Sequence, residues 1–320
     1  MRDQFLATVS INRPLCDEHF LLTLRVDRFP QTAPGQFVQL ACRDVEVDDS
    51  VALGEFDWEP GGRMEVQGRE LLGPIATLRR PFSLAGRRDL PDDGGVELDI
   101  IHRVVGVGTD WLSRLRAGDH VGVLGPLGNT FTLPAGNQMA VLVGGGVGIP
   151  PMLYLAEAMR GRSAVALCGA LRRDLLPLTL RSNPDPTGRP SVCVEEFARH
   201  GIDTAITTDD GSAGFQGFVT QALEHYLDQL SPKSSVPSPT VYTCGPEPMM
   251  KRVAAIAADR GIDCQIAVER AMACGMGTCQ SCCIRVTKPD PSQPPLAGSD
   301  WCYRLACTDG PVFRGVDLLW

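Results

Sequence analysis

The stretch Ala273-Cys274-Gly275-Met276-Gly277-Thr278-Cys279-Gln280-Ser281-Cys282, with Cys307 further along, constrains the fold of this chain more than any other feature. Its C-x4-C-x2-C…C arrangement is the spacing by which four thiolates hold a [2Fe–2S] cluster. Three ligands can come from one loop only if the backbone coils around the irons. Gly275 and Gly277 suit such a loop, because glycine reaches conformations that other residues avoid. Two alternatives stand beside this reading. A zinc knuckle favours two C-x2-C pairs, and no second pair lies nearby. Ordinary buried thiols need no spacing at all. A cluster implies a chain that moves single electrons.

The chain has 320 residues, enough for two or three domains, with 43% hydrophobic and 21% charged residues. Its net charge of −8 argues against a nucleic-acid binder. No apolar stretch is long enough to span a bilayer, and the N-terminal Met1–Ser10 lacks the apolar core of a signal peptide. A cytoplasmic protein without membrane or nucleic-acid partners is expected. Of the 12 cysteines, those outside the quartet, such as Cys16, Cys42, Cys168 and Cys193, lie mostly in apolar runs and read as small buried hydrophobes.

Residues 1–133 read as β-rich, with strand-like runs at Gln4–Ile11, His19–Val26, Gln36–Ala41, Val96–Arg103 and His120–Leu124. Turn residues separate them, which suggests an antiparallel barrel or sandwich. Asp44–Gly73 reads as an inserted excursion and is assigned no chemistry. Residues 134–262 alternate strand and helix patterns: strands at Met139–Val143, Ala164–Gly169, Val192–Phe197, Asp203–Thr208 and Val241–Cys244, helices at Pro151–Arg160, Val219–Leu230 and Pro248–Arg260. That alternation predicts a parallel, doubly wound sheet. Residues 263–320 carry the cysteine motif, a strand at Cys283–Thr287 and a proline-rich loop at Pro289–Gly298.

Four further motifs carry chemistry. Arg80-Pro81-Phe82-Ser83 offers a guanidinium for a pyrophosphate, an aromatic face for an isoalloxazine and a hydroxyl for the ring, although such a run also suits a plain strand edge. Gly106-Val107-Gly108-Thr109 is a glycine turn before a helix expected at Asp110–Leu115; it suits a phosphate, or Thr109 serves as an N-cap alone. Gly144-Gly145-Gly146-Val147-Gly148-Ile149-Pro150-Pro151 follows a buried strand, where a dinucleotide loop belongs. It reads G-x-G-x-x-P and so departs from the usual fingerprint. Cys244-Gly245-Pro246 ends the last strand of this region, at the carboxyl edge where α/β ligands bind.

In this order, the Arg80 motif, the Gly106 turn, Gly125–Asn129, the Gly144 loop and Cys244-Gly245-Pro246 resemble the ferredoxin–NADP reductase superfamily. With Met272–Cys279, Cys307-Thr308-Asp309-Gly310-Pro311-Val312-Phe313 and Thr208–Ser212, the chain looks most like the electron-transfer subunits of class 1B dihydroorotate dehydrogenases. The resemblance implies a flavin-binding antiparallel β-barrel, a parallel-sheet nucleotide-binding domain and a C-terminal [2Fe–2S] ferredoxin-like segment. It implies FAD at Arg80, Pro81, Phe82, Ser83, Gly108 and Thr109, and NAD at Gly146, Gly148, Cys244, Gly245 and Pro246. The implied metal ligands are Cys274, Cys279, Cys282 and Cys307. Cys307 is preferred because Asp309–Phe313 after it follows the family pattern, and Cys302 and Cys283 remain competitors. The family's catalytic partner is a separate FMN-containing TIM barrel that oxidises dihydroorotate, joined in a heterotetramer. Reductase subunits serving sulfite reductase, hydrogenase or ferredoxin:NADP chemistry share these modules, and a non-catalytic iron–sulfur redox sensor is a further alternative. Arg172 and Arg173 could meet the 2′-phosphate of NADP, or form a solvated basic turn.

Overall fold

A computed structural model describes residues 3–43, 76–91, 94–230, 239–287 and 300–320. The excursion Asp44–Gly73 and the proline-rich loop Pro289–Gly298 lie outside the described residues.

The first sheet comprises β1 (Asp3–Cys16), β2 (His19–Val26), β3 (Phe37–Leu40), β4 (Arg80–Ser83), β5 (Gly86–Asp89), β6 (Val96–Arg103) and, after helix α1 (Val107–Ser113), β7 (His120–Leu127). Its seven strands run in the order β4-β3-β7-β1-β2-β6-β5, paired antiparallel. The sheet curls, bringing the edge strand β4 against β6. The cause is visible in the alternation along β6, where Val96, Leu98 and Ile100 are buried and the residues between them are not. One face closes on a core of Leu22, Leu24, Val38, Leu40 and Val123, which Leu112 of α1 completes.

The second region contains β8 (Ala140–Gly145), α2 (Ile149–Ala158), β9 (Ala164–Ala170), α3 (Glu195–Ala198), β10 (Asp203–Thr208), β11 (Phe215–Gln216), α4 (Val219–Gln229), β12 (Thr240–Cys244), α5 (Glu247–Asp259) and β13 (Asp263–Ala267). The last strands are β14 (Cys283–Val286), β15 (Cys302–Leu305), β16 (Val312–Arg314) and β17 (Leu318–Leu319). The second sheet runs β11-β10-β9-β8-β12-β13-β16, parallel except at the β13–β16 edge. Alternate residues of β8 face opposite cores: Val141 and Val143 one way, Ala140 and Leu142 the other. Both faces are covered by helices, as a parallel sheet requires.

The strand expected at Val192–Phe197 is not formed. Val194 makes only an isolated bridge to Leu180, and Glu195–Ala198 is helical. Val194 and Phe197 are both fully buried and stand three residues apart, a helical spacing, while two glutamates occupy the favourable first turn. Helix α1 also starts a turn earlier than Asp110–Leu115. Thr109 therefore sits inside it rather than at its cap: its Oγ1 accepts from the amides of Val105 (2.9 Å) and Gly106 (3.1 Å).

The expected division at 262/263 falls immediately before β13, which is hydrogen-bonded into the second sheet beside β12. β16 joins the same sheet from beyond Cys307. The C-terminal segment is also strapped to the barrel. Asn129 Nδ2 donates to the carbonyls of Asp309 (2.9 Å) and Val312 (2.8 Å), and its Oδ1 accepts from the Val312 amide at 2.8 Å. Among the described residues no helix is long and apolar enough to cross a membrane.

Candidate functional site: a cavity between two sheets and a cysteine loop

A cavity of about 1470 Å³ opens where the two sheets meet. Single small-molecule pockets span roughly 300–1,000 Å³, so this one has room for more than one ligand. All eleven residues expected to hold flavin or nucleotide line it: Arg80, Pro81, Phe82, Ser83, Gly108, Thr109, Gly146, Gly148, Cys244, Gly245 and Pro246.

The barrel contributes side chains. β4 is half-buried along its length, leaving Arg80, Phe82 and Ser83 available to a ligand. Arg80 spends one donor on the Leu78 carbonyl, 3.0 Å away. Beside Phe82 stands His102, which the sequence reading passed over. It is buried, it lines the cavity, and neither ring nitrogen has a hydrogen-bond partner among the described residues. Phe82 meets it edge-on with ring centroids 6.0 Å apart. Burial, with a smaller contribution from His19, pushes the His102 imidazole down to about 4, so it is neutral at pH 7.

The parallel sheet contributes backbone. After β8 the chain makes a turn at Gly146–Gly148, and Gly146 has a φ of +53° with open space where a side chain would stand. At Gly148 a Cβ would run into the Cys244 carbonyl oxygen, so only glycine lets the two strand ends touch. The Cys244 thiol is pushed up to about 12 by burial and then by the Glu269 carboxylate, and stays protonated. Glu269, Arg270 and Asp209 also line the cavity. Arg270 is held by Glu247 at 2.9 Å. Asp209 lies in the Thr208–Ser212 segment, whereas no sequence motif announced Glu269 and Arg270, whose neighbours in space come from other elements. Arg172 pairs with Asp17 at 3.3 Å, and the Arg173 amide donates to Ser212 Oγ.

At one end the cavity reaches Met272, Ala273 and Ser281, the neighbours of Cys274 and Cys282. The four cysteines lie close together: the Cys279 amide donates to Cys274 Sγ at 3.4 Å, and both the Cys282 and Cys274 thiols act on Cys307. Four neighbouring thiols are what a two-iron cluster asks for. Backbone amides already point at the sulfurs: those of Met276 and Cys279 each donate to Cys274 Sγ at 3.4 Å, and that of Gly277 to Cys307. The Ser281 hydroxyl and amide bring Cys279 down to about 6. Burial and the Cys282 thiol push Cys307 up to about 12. The donor set fits the cluster.

The competitors stand elsewhere. Cys302 pairs in register with Val286, whereas Leu305 lies opposite Cys283. Three residues of strand separate the two positions, about 10 Å. Cys302 is buried in the apolar core, and Cys283 is exposed on the opposite face of β14.

Comparison with known proteins places these features in context. The iron–sulfur cluster binding domain of dihydroorotate dehydrogenase B matches residues 269–319. The dihydroorotate dehydrogenase B (NAD(+)) electron transfer subunit of Bacillus caldolyticus is 35% identical over 285 residues, covering 88% of this chain and 94% of the relative. That of Caldanaerobacter subterraneus subsp. tengcongensis is 29% identical across the whole of both chains. Among solved structures, a chain of the NADH-dependent reduced ferredoxin–NADP oxidoreductase superposes with a TM-score of 0.66 at 26% identity, covering 98% of this chain and 90% of that one.

Proposed function

Because the chain belongs to the family of dihydroorotate dehydrogenase B electron transfer subunits, we propose that it carries electrons between a dihydroorotate-oxidising partner and NAD+ in pyrimidine biosynthesis. FAD and a [2Fe–2S] cluster are its resident groups. The partner is the FMN-containing catalytic subunit, in a heterotetramer, and the location is the cytoplasm. One observation carries the reading: residues expected for flavin and for nucleotide line one cavity, and that cavity reaches the loop of the cysteine quartet.

Bound there, the flavin supplies the exchange between hydride and single-electron chemistry that neither nicotinamide nor cluster can perform alone. The residues supply binding and orientation. Arg80 neutralises the pyrophosphate, Phe82 packs on the ring and Ser83 offers it a hydroxyl. Gly108 and Thr109 form the turn beside it. Gly146 and Gly148 let the nucleotide approach the backbone, and the Cys244-Gly245-Pro246 turn backs the nicotinamide. Cys244, held protonated, presents a neutral surface to it. Asp209 lines the cavity, and a carboxylate at the nucleotide would repel the 2′-phosphate of NADP and favour NAD. Cys274, Cys279, Cys282 and Cys307 would hold the cluster.

The test combines the purified chain, loaded with FAD and cluster, with its FMN-containing partner. Dihydroorotate should then drive NAD+ reduction, and NADH alone should reduce an artificial acceptor. NADH-to-acceptor turnover with no dihydroorotate-driven reduction would assign the chain to a different partner.

A further inference from the structure

Gln39 lies in the middle of β3 with no solvent exposure, and neither its Oε1 nor its Nε2 has a hydrogen-bond partner among the described residues. Leaving a buried amide unpaired costs about 1–3 kcal/mol per group. A leucine would fill the same space without that cost, so packing alone does not account for the residue.

Its surroundings do. The side chain rests against Gly275, the residue that follows Cys274. A Cβ at Gly275 would stand 2.7 Å from Gln39 Oε1, 2.8 Å from Cδ and 3.2 Å from Nε2. Gly275 also has a φ of +68°, a left-handed conformation that favours glycine. On its backbone, Gln39 pairs with Pro81 of the Arg80–Ser83 strand. One residue thus sits in register with the flavin strand and packs its amide on the cysteine loop. Two backbone amides already donate to Cys274 Sγ, and the side-chain amide that arrives from the barrel has no partner among the described residues.

We propose that Gln39 is a positioning residue for the iron–sulfur centre: its side-chain amide donates to the sulfur at the Cys274 corner and raises the reduction potential of the cluster. The inference rests on the quartet being a [2Fe–2S] site. The two ends of the amide are nearly isosteric, so a half-turn brings Nε2 to where Oε1 stands. Reduction adds one electron and breaks no bond. The added negative charge strengthens an N–H···S hydrogen bond, so the donor stabilises the reduced state over the oxidised one.

The experiment is a redox titration of the full chain carrying FAD and cluster, in wild type, Gln39→Met and Gln39→Glu. The reduced cluster is followed by electron paramagnetic resonance and the flavin by absorbance. Gln39→Met keeps the volume and loses the donor. It should shift the reduction equilibrium of the cluster about tenfold toward the oxidised form, about 59 mV for one electron. Gln39→Glu keeps the shape and adds a charge, and should shift it further in the same direction. The flavin potential should stay in place in both. An unchanged cluster potential in the variant that retains its cluster overturns the proposal, as does a shift confined to the flavin. If wild type itself gains no cluster absorption on loading with iron and sulfide, the reading of the quartet fails, and this inference fails with it.

Discussion

The two sheets meet the central cavity in opposite ways. The antiparallel sheet presents consecutive residues of one strand, Arg80 to Ser83, through their side chains and ring. The parallel sheet presents its carboxyl ends, chiefly the Gly146–Gly148 turn and the Cys244–Pro246 turn, with Asp209 and Glu269 following other strands. A sheet with helices on both faces has nothing else to offer a ligand, whereas a curled antiparallel sheet can leave part of a face free. Substitutions on the first side should therefore act through the atoms they remove, and on the second through the atoms they add. The cysteine loop combines both modes, with thiols as ligands and backbone amides as donors to them.

The largest effect is expected at that loop. Cys307→Ala should abolish the visible absorption of the loaded cluster, and Cys302→Ala should leave it; the reverse would move the fourth ligand into the hairpin. Next comes Gly148→Ala, which places a methyl on the Cys244 carbonyl. Overpacking of this kind costs about 1–3 kcal/mol. Thermal unfolding and an NADH titration should both register it, and a variant identical to wild type in both would break the claim that this side works through backbone contact. Arg80→Gln should weaken FAD by about 1.5–3 kcal/mol, roughly 10- to 150-fold, with the fold intact. A flavin titration reporting wild-type affinity would remove Arg80 from the site.

The smallest effect concerns acid. His102 is held neutral, with its folded-state value near 4 against 6.5 in the free side chain. Between those values the unfolded chain binds a proton that the folded chain refuses. This contribution to stability is complete above pH 6.5 and is lost as the pH falls toward 4, up to about 2 kcal/mol by pH 5. In flavin-free protein, His102→Gln should flatten the urea midpoint between pH 7 and pH 5; an equally steep fall would place the acid sensitivity elsewhere.

The motifs were legible wherever chemistry ties residues close together in sequence. The three loop cysteines, the Arg80–Ser83 strand and the glycine turn after β8 are local, and the sequence exposes them. His102, Glu269 and Gln39 were not legible, because each owes its place to strands brought together from far apart. Gln39 reads as one more polar residue in a β pattern; only the fold sets it beside Gly275. The segment Val192–Phe197 misled for a related reason. Its β-branched residues suit a strand, yet tertiary packing selects the spacing of Val194 and Phe197. β13 went unseen as a strand because Asp263-Cys264-Gln265-Ile266-Ala267, although it alternates polar and apolar residues, is only five residues long and follows closely on a helix.

The Asn129 strap and the edge strand β16 have a consequence for timing. Together they fasten the segment that follows Cys307 to the barrel on one side and to the second sheet on the other. A ferredoxin module on a loose tether must swing between docking positions, and solvent friction then sets its pace. Here the centre is riveted at both flanks, so the distance an electron must cross to the flavin is fixed when the chain folds. Transfer between them should keep the same rate as glycerol thickens the medium, and a rate that falls in proportion to viscosity would show that the rivets give way.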